Sequence, residues 1–147
     1  MSLAASITWL ITAGGGLLLL GIWLIEYDRE FQSAAATRLP VPVISAHALL
    51  AVAGLVVWTA YLITDASRLA WATVLILATV AILGLTMAAR WIQVHRAHET
   101  VAATGARARI TSPPERNFPL PVVIGHGIFA AVTIVLVLMT ALGAGGS

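Results

Sequence analysis

Residues 120–142 read LPVVIGHGIFAAVTIVLVLMTAL, a run without a single Asp, Glu, Lys or Arg. Coiled as an α-helix at 1.5 Å per residue, such a run is about as long as the ~30 Å hydrocarbon core of a bilayer is thick. Strands are far shorter, and within lipid a helix alone satisfies its backbone polar groups inside one segment. Three further stretches have the same character, at about 3–25, 41–63 and 69–89, and none carries a charge in its middle. The expected fold class is therefore an all-α membrane protein. Its four transmembrane helices, at about 3–25, 41–63, 69–89 and 120–142, form one domain over residues 1–147.

Composition points the same way. Hydrophobic residues make up 60% of the 147 and charged residues 10%, whereas a soluble domain carries about 25% charged residues. That leaves too little polar surface to coat a water-facing globule. The chain has no cysteine, which excludes disulfides, iron–sulfur clusters and thiolate zinc sites. The pI near 9.9 comes from a few dispersed arginines, so no nucleic-acid partner is expected. All eight basic residues are Arg; with abundant Ala, Val and Leu this suggests a GC-rich, bacterial genome. The first apolar run lacks a basic leader and exceeds the usual 7–15 residues of a signal sequence, so it is expected to be retained.

The connections sort by side. Arg29, Arg38, Arg90, Arg96, Arg107, Arg109 and Arg116 fall on one face, and only Arg68, in the short turn after helix 2, falls on the other. The positive-inside rule then makes the arginine-rich face cytoplasmic. The expected location is a multi-pass plasma-membrane protein with both termini outside and loops 26–40 and 90–119 in the cytoplasm. Trp9, Trp58, Tyr61 and Trp71 are expected at the outer interface, and Trp23, Tyr27, Phe31, Trp91 and Phe118 at the inner one. Residues 93–101 could extend helix 3 beyond the membrane until Gly105 and Ser112-Pro113-Pro114 break it.

Helix 2 opens Leu39-Pro40-Val41-Pro42-Val43-Ile44-Ser45-Ala46-His47, and helix 4 opens Phe118-Pro119-Leu120-Pro121-Val122-Val123-Ile124-Gly125-His126. The shared pattern P-x-P-V-x-x-x-H, offset by 79 residues, reads as two tandem helical hairpins. Trp23 and Trp91 are further candidates for equivalence. Parallel repeats of this kind are related by an axis along the membrane normal. In an up-down four-helix bundle, helices 2 and 4 become diagonal partners, with His47 and His126 at one depth.

Two imidazoles so placed could ligate one b-type haem iron from opposite sides. Ala51 and Gly54 follow His47 one turn apart, and Ala130 and Thr133 follow His126. These small residues would leave room for a flat macrocycle. Arg38, Arg90 and Arg116 lie at the inner rim, where cations could meet its propionates. Imidazoles in these positions could equally bind backbone carbonyls as packing elements.

Other candidates carry less chemistry. His95, His98 and Glu99 share one face of an extended helix 3 and suit a divalent ion or an exposed polar surface. Glu26 and Arg90 are placed to pair at the inner end of the bundle. Met87 is an alternative sulfur ligand. Gly14, Gly15, Gly16 and Gly21 permit close helix approach and make helix 1 a candidate oligomer contact. No nucleophile–base arrangement or nucleotide fingerprint is present.

In outline the architecture resembles small four-helix membrane cytochromes b, without a family-specific motif. The leading expectation is a small haem b protein that passes electrons near the cytoplasmic face, with a quinone or a redox membrane subunit as partner. Such a chain is an electron-transfer or accessory subunit and not itself a catalyst. The rival expectations are a cofactor-free accessory or assembly subunit of a larger membrane complex, and a small channel or transporter.

Overall fold

A computed structural model describes residues 1–26, 39–103 and 117–144. Four α-helices follow in order: α1 (Ser2–Glu26), α2 (Val41–Thr64), α3 (Ser67–Ala103) and α4 (Leu120–Ala141). Each contains a span long and apolar enough to cross a membrane. α3 runs well past its apolar part, as the sequence of residues 93–101 implies.

The proline pairs set two of the helix starts. Pro40 and Pro119 are the N-caps of α2 and α4, both with φ −63° and with ψ 124° and 119°. A proline has no N–H to leave unsatisfied there, and its preset φ suits the entry to a helix. Its carbonyl accepts the first bonds, from Val43 and Ile44 in α2 and from Val122 and Val123 in α4. At the other end of α2, Asp65 adopts a left-handed conformation (φ 52°), and its N–H donates to the Tyr61 carbonyl at 2.8 Å. That cap ends the helix and lets α3 begin at Ser67. The end of the molecule holding this cap is called the turn end below. The opposite end, where α1 finishes and α2 and α4 begin, is called the arginine end.

α1 packs along α4 and α2 along α3, as the two close pairs. α3 also meets α4, α1 touches α2 only slightly, and α1–α3 and α2–α4 are the diagonals. The closest contacts thus join one hairpin to the other. Within each close pair the chains are antiparallel: Thr8 meets Thr133 while Thr12 meets His126, and Val80 meets His47 while Ile76 lies by Gly54.

Burial follows the repeat. At an offset of 79, buried Gly54 and Trp58 of α2 match buried Thr133 and Val137 of α4. At an offset of 68, buried Ala5 and Trp9 of α1 match buried Thr73 and Leu77 of α3. The same offset of 68 pairs Gly16 with Gly84 and Trp23 with Trp91. The two halves therefore share a register on both helices.

The seams between α1 and α2 and between α3 and α4 are not alike. Trp9 lies over Gly54, where a Cβ would come within 3.2 Å of the indole. Trp58 is fully buried, and its Nε1 donates to Ser6 Oγ at 3.0 Å. Two indoles between α1 and α2 hold those backbones apart. The equivalent positions carry the smaller Leu77 and Val137, so α3 and α4 approach more closely. Trp9, Trp58 and Trp23 (5% exposed) are interior residues, which corrects their expected place in interfacial belts. Each indole has more packing surface to offer inside the bundle than at its surface. Trp71, 43% exposed, does face outward.

Candidate functional site: a facing histidine pair

His47 on α2 and His126 on α4 lie close to each other across the bundle, with ring centroids 6.3 Å apart and planes tilted by 57°. Each ring is anchored on the neighbouring close partner. His47 Nδ1 lies 3.0 Å from the Val80 carbonyl of α3. His126 Nδ1 lies 2.9 Å from the Thr12 carbonyl of α1. A carbonyl only accepts, so Nδ1 carries the proton in both rings. In the neutral imidazole this leaves the Nε2 lone pair free.

The glycines explain how the rings reach those carbonyls. In a helix the side chain at i+4 leans back over the carbonyl of residue i. Residue i+4 is Gly16 for Thr12 and Gly84 for Val80. A Cβ at Gly16 would stand 3.0 Å from His126 Cε1, and one at Gly84 would stand 3.2 Å from His47 Cε1. Each histidine thus occupies the notch of a glycine at the same repeat register. Among three adjacent glycines in α1, only Gly16 is this tight: a Cβ at Gly15 makes ordinary contact and one at Gly14 meets nothing.

The histidines also divide the bundle. Toward the turn end the interior is filled by Ala5, Trp9, Trp58, Leu77 and Val137. Thr133 Oγ1 lies 3.0 Å from Thr8 Oγ1 and 2.8 Å from the Phe129 carbonyl. Gly54 and Thr133 therefore do not leave room for a macrocycle on that side, contrary to the expectation from their size. The indole of Trp9 takes the space at Gly54. Toward the arginine end, Trp23 and Leu39 are the only buried side chains among the described residues.

The donor set fits one kind of metal better than another. Two imidazoles on opposite sides of one metal, at about 2.0–2.1 Å each, have centroids about 6 Å apart. The tilt is no obstacle, because rings on a common axis may rotate about it. No group of three or more His, Cys, Asp or Glu gathers among the described residues. A bare divalent ion wants about four protein ligands. Haem iron brings four nitrogens of its own and asks the protein for two.

Arg90 is exposed on α3. It lies about 120° around the helix from the Gly84 face, by 3.6 residues per turn. Arg38 and Arg116 lie outside the described residues, as do the side chains of Glu26, His98 and Glu99. His95 is engaged by its own helix: Nδ1 donates to the Trp91 carbonyl at 3.3 Å, and its ring packs on Trp91 with centroids 4.3 Å apart. Met87 is half-buried, three residues beyond Gly84.

Sequence reasoning found the histidines through their proline-anchored repeat and offered backbone carbonyls as their partners, which the structure bears out; it did not find which carbonyls, nor the glycines that seat the rings. The offset of 68 on α1 and α3 was the available signal, since it aligns Gly16 with Gly84 as well as the two tryptophans. No family model matches this chain, and no curated protein or solved structure is significantly similar to it.

Proposed function

We propose that the chain crosses a bacterial plasma membrane four times as an up-down bundle and holds one b-type haem between His47 and His126. Both termini then lie outside, and loops 26–40 and 90–119 lie in the cytoplasm. The observation that carries the reading is the facing pair itself. Two imidazoles on diagonal helices each give Nδ1–H to a backbone carbonyl and keep Nε2 for a ligand. Metal-bound histidines are oriented by such bonds, which select the tautomer and raise the basicity of the free nitrogen. A haem held there supplies a one-electron carrier. The protein's part is to fix two ligands at one depth, exclude water with apolar helices, and place the centre toward the arginine end. From that position, near the cytoplasmic face, it would serve a quinone or a redox membrane subunit. Arg90 supplies a cation at that end, and Arg38 and Arg116, which lie outside the described residues, are further candidates by sequence alone.

The test is an absorption spectrum of the detergent-purified protein, oxidised and then dithionite-reduced, after expression with a haem precursor. A low-spin spectrum is expected, and His47→Ala and His126→Ala should each lose most of it while still inserting. His95→Ala should keep it. A folded wild-type protein that stays colourless and takes up no haemin overturns the reading.

One observation favours a cofactor-free accessory subunit. Each imidazole already ties a close helix pair together, and a Cβ at Gly14 or Gly21 of α1 meets nothing within 4 Å, which leaves α1 able to receive another helix. A channel is disfavoured by the packing of Trp9, Trp58, Leu77 and Val137 across the turn-end half.

A further inference from the structure

The interior face that carries Gly16 and Gly84 continues toward the arginine end. Seven residues on, about two turns and ~10 Å along each helix, the same face presents Trp23 and Trp91. Both indole nitrogens are buried. Trp91 Nε1 has no hydrogen-bond acceptor among the described residues. An N–H left without an acceptor in an apolar setting is costly, so its retention calls for an explanation.

We infer that Trp91 Nε1 is a donor to a carboxylate of the bound group, a haem propionate. This rests on the haem reading above. Three observations lead to it. The turn-end side of the histidines is filled by side chains, so the polar edge of a macrocycle ligated there must point toward the arginine end. Carboxylates placed among apolar helices need donors as well as cations, and charge-assisted bonds are the strong ones. The interior-facing residue at the right depth on α3 is Trp91, whereas Arg90 is exposed and about 120° away around the helix.

The experiment compares wild type and Trp91→Phe, as the full chain in detergent, titrated with haemin and with haemin dimethyl ester. The ester keeps the iron and the ring but has no carboxylate. In Trp91→Phe, affinity for haemin should fall about ten- to a hundredfold, the range for a hydrogen bond to a charged group. Affinity for the ester should be the same in both proteins. An equal loss for both ligands, or no loss for either, overturns the propionate assignment while leaving the histidine ligation standing. Failure of wild type to form a low-spin complex with either ligand removes the haem reading and this inference together.

Discussion

Alanine substituted in turn at Gly14, Gly15 and Gly16 tests whether glycine seats the histidine. The three share one helix and one gain in helix propensity, roughly 0.8–1 kcal/mol per Gly→Ala in water-soluble hosts. They differ in what the new methyl meets: nothing at Gly14, His126 Cβ at 3.5 Å for Gly15, and His126 Cε1 at 3.0 Å for Gly16. Carbon atoms rest at about 3.5–4.0 Å, so the Gly16 methyl must push the ring away by about half an ångström. The ring's bond to Thr12, now 2.9 Å, then lengthens to about 3.4 Å, beyond good geometry. Losing it weakens the protein by about 1 kcal/mol, and up to ~3 kcal/mol if the N–H is left without an acceptor. Gly16→Ala should therefore be less stable than Gly14→Ala by about 1–3 kcal/mol, whatever the propensity gain in lipid. Gly15→Ala should resemble Gly14→Ala. Gly84→Ala, with its methyl 3.2 Å from His47 Cε1, should shift in the same direction by less. Reversible unfolding by SDS in mixed micelles reads these differences. Equal stability of the three α1 variants would refute the notch, and with it the account of how the rings reach their carbonyls.

Two further outcomes follow from the packing and the charge asymmetry. Ser6→Ala strands the fully buried Trp58 N–H and should destabilise by about 1–3 kcal/mol, much less in a Trp58→Phe background; additivity in that double-mutant cycle would remove the proposed bond between α1 and α2. For topology, cysteine at Ser2 should react with an impermeant thiol reagent outside intact cells and cysteine at Ser112 should not, and the reverse pattern would invert the proposed orientation.

How much was legible beforehand varied by residue. Helix positions followed from uninterrupted apolar length, because runs of about 20 apolar residues are far longer than strands. Pro40 and Pro119 marked their helix starts because the lack of an N–H confines proline to few sites. The interior positions of Trp9, Trp23 and Trp58 were not legible. In most chains polarity separates inside from outside, but α1–α4 are apolar on every side, with exposed Leu3, Leu49, Leu75 and Ile128 as well as a buried core, and hydrophobic patterning along them carries little direction.

The sequence by itself determined four apolar helices, the proline-capped starts of α2 and α4, the repeat and the existence of a histidine pair. Each of these is local, set by composition over one segment or by a motif within ten residues. Only the tertiary structure decided that α1 pairs with α4 and α2 with α3. It also decided that indoles fill the turn-end half, and that each imidazole reaches a backbone carbonyl beside a glycine on another helix. Those outcomes depend on shape complementarity between segments far apart in the chain. Between helices that are apolar all round, fit between surfaces and the few available hydrogen bonds choose the neighbours.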